Sequence, residues 1–428
     1  MDFTLLPYAI FFGLLQAVAA VPWVVLLLGQ TFREWFAQAP LPRLAICGAV
    51  VLGLGIGLGI GLVFLLDVAA TRPSLEDVGW YYGSLLQLQL MVDLLILGFW
   101  LLLAVWPKGG AVARAAFREG YRQPMYWVLL VIGLLILVFL PFVPYFTFGE
   151  DHIMFKELGY DVIMFVAVLF GVLSAAMSIN EEIEGRTAVT LMSKPVSRRQ
   201  FILGKFAGIL MVCLVLVFGL GWAFEHILTM KRWLDRLDPQ VLPVGLSTWL
   251  DGAPALNPTL PRPAEEVAAT GALDVPDPIR HFLRGGLLWT SHAMDVVPGL
   301  IMASSLVMVM LAVAVTLATR LPMVVNLVTC LVLYVLSNLM PNLVLSTKPR
   351  NDGTDGPVQK LLHFIAQLFD ALLPGLDHFR VRPTVVDEST LPLGDYMLHV
   401  GAVTFYGIMF TAIILLLGLV MFEDRDLA

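Results

Sequence analysis

Residues able to do chemistry are sparse in this sequence, and one run holds many of them. Glu181 to Gly208, EEIEGRTAVTLMSKPVSRRQFILGKFAG, brings together three acids, five cations and one proline. Elsewhere Asp93 stands alone in an apolar stretch, near Gln87 and Gln89. A carboxylate in such surroundings is costly, so an isolated acid there marks either a functional group or a helix-to-helix bond. No Lys or Arg in the apolar stretches can partner it, so it bonds a residue such as Gln16 or carries a proton. The seven histidines (His152, His226, His281, His292, His363, His378, His399) are scattered, without ligand spacing such as HExxH. Cys47, Cys213 and Cys330 lie far apart in apolar blocks, which argues against a disulfide framework and a thiolate metal site. No phosphate loop of the form GxxxxGKS or GxxxxGKT occurs. The run Gly53, Gly55, Gly57, Gly59, Gly61 sits inside an apolar block, where small residues four apart serve helix packing rather than phosphate binding. These patterns assign no catalytic residue, no metal and no cofactor held by this chain.

The elements that position these residues follow from composition. Of 428 residues, 59% are hydrophobic and 14% charged, with a mean hydropathy of +0.85. A soluble domain carries roughly 25% charged residues, and a bilayer-spanning helix needs about 20 consecutive apolar ones. The chain therefore reads as an all-α polytopic membrane protein. Nine spans are predicted: Leu5–Leu28, Leu44–Leu66, Leu85–Trp106, Met125–Tyr145, Val162–Ile179, Phe206–Phe224, Val296–Ala318, Pro322–Leu345 and Val400–Phe422. The opening residues, MDFTLLPYAI, lack the basic region of a signal peptide, so the first span is expected to be retained.

The connecting stretches alternate between basic and acidic. One set holds 13 Lys/Arg against 8 acids, the other 13 against 24. Short loops decide orientation, and those of the second set, 67–84 and 148–159, contribute only Arg72 and Lys156. The first set is expected in the cytoplasm, with the N-terminus outside and the C-terminus inside. The net charge of −7 then belongs to the outer face and offers nothing to nucleic acid.

The spans divide three plus six. Residues 1–106 form an accessory three-helix bundle; 107–124 form an amphipathic helix; 125–428 form a six-helix core. In 107–124, Arg114, Arg118 and Arg122 recur every four residues, with Phe117 and Tyr121 on a neighbouring stripe, as in a helix lying at headgroup level. The core has two outer excursions, 225–295, rich in proline, and 346–399, where Leu361, Ile365, Leu368 and Leu372 have helical spacing. Its inner segment 181–205 predicts a short helix over Glu181–Met192, a break at Lys194–Pro195, and a second helix from Ser197. Gln200 stands three residues on, the spacing of a capping box. Such a segment is either a rigid lever that receives a push from another protein, or a solvated connector with snorkelling charges.

The segment resembles the cytoplasmic loop of the type-2 (ABC-2) ABC transporter permeases. The matching residues are Glu182, Glu184, Gly185 and Thr187, then Leu191, Ser193, Pro195, Val196, Ser197, Arg198, Leu203, Gly204 and Lys205, with Arg186 inserted between glycine and threonine. LLPGLDHF at 372–379 and FEDRDL at 422–427 resemble the end of the same family. The resemblance covers about residues 108–428 and is nearest to permeases related to the membrane subunit of the nitrous-oxide-reductase maturation transporter. It implies six helices per subunit after an amphipathic elbow, which is Arg114, Phe117, Arg118, Tyr121 and Arg122 here. It also implies a homodimer or heterodimer of permeases in a bacterial cytoplasmic membrane, and export as the direction. A separate ATPase subunit would bind ATP and Mg and meet Glu181, Glu182, Glu184, Gly185, Arg186, Thr187, Pro195, Ser197, Arg198, Gly204 and Lys205. Arg198, placed next to a helix N-terminus, is expected to answer an acid elsewhere.

Two other functions compete with the permease reading. One is a membrane-embedded scaffold binding a partner through its outer loops; the other, a secondary carrier, is disfavoured by the lack of an inverted repeat with broken helices. The orientation is open to direct test. A cysteine at Ser197 should react with a membrane-impermeant maleimide only after cells are opened; labelling in intact cells would reverse the topology.

Overall fold

The computed structural model describes residues 5–25, 35, 40–69, 71–143, 151–184, 197–234, 250, 275–348, 357–380 and 393–423. Among these residues the structure is helical and contains no strand. The helices are α1 (Leu6–Ala19), α2 (Pro40–Val68), α3 (Arg72–Val105), α4 (Pro107–Arg122), α5 (Pro124–Phe139), α6 (Asp151–Glu184), α7 (Arg198–Leu234), α8 (Asp277–Ala318), α9 (Met323–Thr347), α10 (Pro357–Leu372) and α11 (Leu393–Glu423). Nine helical stretches among the described residues are long and apolar enough to cross a bilayer. The chain forms two compact units: Met1–Gly98 with Arg236–Met294, and Phe99–Asp235 with Asp295–Ala428.

The first unit is built on glycine contacts. A Cβ on Gly59 would stand 2.7 Å from the Ile10 Cα and 2.9 Å from the Ala9 carbonyl oxygen, and one on Gly55 would stand 2.9 Å from the Leu14 Cα. Gly13 in turn faces the backbone of Gly55 and Gly59. Apolar side chains gain little by leaving lipid for another helix, so close backbone approach supplies the attraction. Gly53, Gly57 and Gly61 have nothing within 4 Å of a built Cβ, so only one stripe of the glycine run is used. The matched residues show α1 and α2 antiparallel. α3 is parallel to α1: Tyr82 donates to the Phe12 carbonyl at 2.9 Å, and Gln16 donates to Gln89 further along both helices. Residues 277–294 also join this unit. Gly79 and Gly285 let α3 and the start of α8 touch backbone to backbone, and the Trp289 indole donates to Gln87 at 2.6 Å.

The second unit centres on residues 300–318 of α8, most of whose apolar side chains are buried. α6 lies antiparallel to α5, with Tyr126 against Phe170 and Gly133 against Val166, and antiparallel to α7, with Phe155 5.4 Å from Phe224. α11 runs parallel to α8, through Ser305 to Thr404 at 3.4 Å and Thr316 to the Ile414 carbonyl at 3.0 Å. The 372–379 motif ends in a single 3-10 turn, Leu376–Phe379, which sinks both named side chains fully into this core.

Several helices outrun their predicted spans. α6 starts at Asp151 rather than Val162, α7 continues to Leu234 rather than Phe224, and α8 starts at Asp277 rather than Val296. Hydropathy registers only the apolar middle of a helix. Here Lys156, Glu225 and Lys231 are at most 3% exposed, so charges that suggested loops are packed inside helices. The 225–295 excursion is therefore helical at both ends, and its centre lies outside the described residues apart from Leu250. Residues 181–184 are likewise the last turn of α6, the helix expected from Ser197 is the start of α7, and the rest of the expected Glu181–Met192 helix and the break at Lys194–Pro195 lie outside the described residues. The first unit is not bounded as residues 1–106: it stops at Gly98 and takes in 277–294.

The glycine stripe sets a paired expectation. Gly59→Leu should lower stability by about 1–3 kcal/mol through overpacking against α1. Gly57→Leu should be neutral or stabilising, because leucine gains up to about 1 kcal/mol of helix propensity over glycine. Thermal unfolding in detergent separates the two; equal effects would disprove the one-sided packing.

Candidate coupling site

The site is built from the two helix ends that flank residues 185–196. α7 opens with a reciprocal cap, as its spacing predicted. The Gln200 N–H donates to Ser197 Oγ at 3.2 Å, and the Ser197 N–H donates to Gln200 Oε1 at 3.1 Å. Two N–H groups without intrahelical partners are thereby satisfied, and the register of the first turn is fixed.

Two turns later Lys205 points inward, its side chain 4% exposed. Its ammonium lies 2.6 Å from Glu182 Oε1 and 3.0 Å from Glu119 Oε2, and donates to Ser178 Oγ at 2.7 Å. Ser178 and Glu182 are four apart on α6 and share a face; Glu119 comes from α4. An ammonium has three N–H donors, and each has an acceptor here. One cation thus binds α4, α6 and α7 at a single point. Small residues make the approach possible: a Cβ on Gly204 would stand 2.8 Å from the Gly109 carbonyl oxygen, and one on Gly208 2.7 Å from the Ala116 Cβ.

A second cluster joins the start of α7 to the end of α11. Arg198 Nη1 donates to the carbonyls of Phe422 at 3.3 Å and Glu423 at 3.0 Å, while Arg199 Nε meets the Glu423 carboxylate at 2.7 Å. Arg320, beyond α8, donates to the Met421 carbonyl. The last carbonyls of a helix lack intrahelical partners and carry its negative dipole end, so cations are favoured there. Phe201 and Phe422 stack at 6.2 Å beneath them. Arg198 therefore meets the main-chain carbonyls and dipole end of α11, and its charge also acts on the Glu423 carboxylate that Arg199 binds directly. That exposed pair adds little by itself.

Of the residues picked from sequence, the structure brings together Glu182, Gly204 and Lys205, with Ser197 and Arg198 on the same helix. Glu181 is exposed. The Glu184 side chain, Gly185, Arg186, Thr187 and Pro195 lie outside the described residues. On α4, Arg114, Arg118 and Arg122 are exposed, and Phe117 packs edge-on against Phe99 at 4.8 Å. The polar trio of α3 is split between partners: Gln87 takes Trp289, Gln89 takes Gln16, and Asp93 faces Trp23. Asp93 is thus not bonded to Gln16, because Gln89, one turn earlier, already occupies the Gln16 amide. Neither Asp93 Oδ1 nor Trp23 Nε1 completes a hydrogen bond. Among the described residues no cluster of three His, Cys, Asp or Glu side chains could hold a metal. Sequence reading passed over Ser178, Glu119, Arg199, Arg320 and Glu423 as site residues. Glu119 gave a signal as the one acid on a helix of cations, and Arg199 and Glu423 lay within stretches already singled out, 181–208 and 422–427.

Residues 121–248 match the family model of the ABC-2 family transporter proteins. The match supports an ABC-2 type permease. It starts on the last turn of α4 and spans residues 185–196, so Ser178, Glu182, Ser197 and Lys205 fall within it and Glu119 lies just before it. No curated protein matches the chain.

Removing the shared cation takes from Glu182 and Glu119 the ammonium that both bind. Breaking a fully buried pair costs about 3–5 kcal/mol; both acids are partly solvated, so Lys205→Met should cost nearer 2–3 kcal/mol. Glu119→Gln, at the wetter end, should cost under about 1 kcal/mol. Thermal unfolding of both variants checks the order; a neutral Lys205→Met would show that the ammonium does not hold the junction.

Proposed function

We propose that this chain is the permease subunit of an ABC transporter, driven by ATP hydrolysis on a separate ATPase subunit that engages residues 181–205. The observation that carries the reading is the Lys205 junction, standing where the chain leaves α6 and re-enters α7. A push on residues 185–196 reaches both helix ends at once. Lys205 passes it to α4 through Glu119, and Arg198 passes it to α11 through the carbonyls of Phe422 and Glu423. A solvated connector has no need of a buried, fully used ammonium at its base. Alternating access in this reading is a tilt of α6, α7 and α11 about a path between two permease subunits.

Export from a bacterial cytoplasmic membrane rests on the resemblance to the permeases of the nitrous-oxide-reductase maturation transporters. The same resemblance supports a dimer, either with a second copy or with a related permease. The first unit is an accessory element in this scheme, since the resemblance begins only at about residue 108.

Co-expression with its ATPase subunit should give a stable complex whose ATP hydrolysis rises on reconstitution. Glu181 is the exposed acid at the end of α6, so Glu181→Lys should weaken the complex about tenfold, equivalent to ~1.4 kcal/mol. Arg198→Glu should leave the complex assembled but uncouple hydrolysis from transport, because it places a carboxylate against the carbonyl end of α11. Wild-type binding and transport in both variants would return residues 181–205 to the role of a connector.

A further inference from the structure

Helix α4 carries a surface that the junction leaves unused. Gly109, Gly110, Ala113, Ala116 and Gly120 form its buried face, closed by Gly204, Gly208 and Val212 of α7. Lys108, Arg114, Arg118 and Arg122 are exposed on the opposite side. At 3.6 residues per turn, positions four apart drift by only about 40° per step, so the arginines form one stripe about 12 Å long. Glu119, the acid of this helix, is occupied with Lys205 at 3.0 Å. Among the described residues none of these four cations makes an ion pair; Arg122 merely lies over the Tyr121 ring at 5.9 Å.

The chain fixes where the stripe sits. α3 ends at Val105 and α4 begins at Pro107; α4 ends at Arg122 and α5 begins at Pro124. Both neighbours are candidate membrane spans, so each end of α4 is tied to a point where the chain enters the bilayer. Trp106 stands at one end and Tyr121 and Trp127 at the other, the residue types that gather at the bilayer interface. Apolar surface is exposed beside both ends, at Leu101 and Val105 on α3 and at Trp127 and Val128 on α5. A cationic stripe bordered on both sides by apolar surface suits a lipid monolayer and not the polar face of a soluble partner. Guanidinium groups also match phosphate oxygens in bidentate geometry.

We propose that Arg114, Arg118 and Arg122 bind the phosphate groups of anionic phospholipids, with Lys108 extending the site. The site holds α4 at the headgroup level while α4 braces α7 through Lys205 and Glu119. The inference needs only that the chain spans a membrane; it stands or falls separately from the transporter reading.

The test is reconstitution of the full chain into nanodiscs of equal phosphatidylglycerol and phosphatidylcholine, followed by mass-spectrometric counting of retained lipid. The wild type should be enriched in phosphatidylglycerol, and the enrichment should shrink in high salt as the Debye length falls. Each arginine near an anionic surface is worth about fivefold, so Arg118→Gln alone should cut the enrichment about fivefold and the triple glutamine variant should abolish it. A triple lysine variant should keep most of it and guards against misfolding of the glutamine forms. Unchanged enrichment in the triple glutamine variant overturns the proposal. Unchanged enrichment with loss of a co-purifying ATPase overturns it in favour of a protein-docking stripe.

Discussion

A buried ammonium group must find an acceptor for each of its three hydrogens, and the second unit is arranged around that demand. Lys205 is 4% exposed in its side chain and satisfied by three side chains from two other helices. Its position forces Ser178 and Glu182 onto the α7 face of α6 and draws Glu119 off the arginine face of α4. The surrounding glycines and alanines follow from the same demand. Glu119 reaches Lys205 only if α4 lies against α7, which is why Gly204 and Gly208 meet Gly109, Ala113 and Ala116 there. Polar convergence and small-residue packing are two sides of one contact, since each fails without the other.

The first unit solves the same packing problem without a buried cation at its centre, its ion pairs from Glu76 to His281 and Arg284 being partly exposed. Its interfaces combine glycine-mediated approach with single hydrogen bonds between large polar side chains: Gln16 with Gln89, Trp289 with Gln87, Tyr82 with the Phe12 carbonyl. Such bonds between membrane helices are modest, averaging about 0.6 kcal/mol, so close packing must supply most of the cohesion. A rigid hub suits a structure that transmits force from one end, and distributed small contacts suit one that simply holds its helices together. That contrast accords with placing the driven element in the second unit and an accessory role in the first.

Much of the architecture could be read from sequence because apolar blocks and breakers are local signals. The nine apolar stretches, the Ser197–Gln200 cap and the packing role of the glycine run each depend on spacing alone. Helix ends were misread for the opposite reason. Lys156, Glu225 and Lys231 look like loop residues until tertiary neighbours cover them. Lys205 was picked out by a family motif, but its motif neighbours did not reveal that it faces inward, because burial is set by Glu119, some 86 positions away. Arg198 was recognised as misplaced for its own helix dipole. The structure resolves the misfit with the dipole of another helix, a partner that no spacing rule can supply.

The contacts within each unit also constrain how the chain threads a bilayer. In the first unit, residue pairs 12 with 82 and 16 with 89 advance together, whereas 10 with 59 and 14 with 55 run oppositely. In the second, 126 with 170 and 133 with 166 run oppositely, as do 155 with 224 and 178 with 205, while 305 with 404 and 316 with 414 advance together. Alternating crossings require this pattern: spans one apart in sequence must oppose each other and spans two apart must agree. A helix misassigned as a span, or one span overlooked between them, would invert the sense of a contact on one side of the error. None of these contacts is inverted, so the helices compared within each unit agree with full crossings, and orientation across the bilayer is left to the basic stretches.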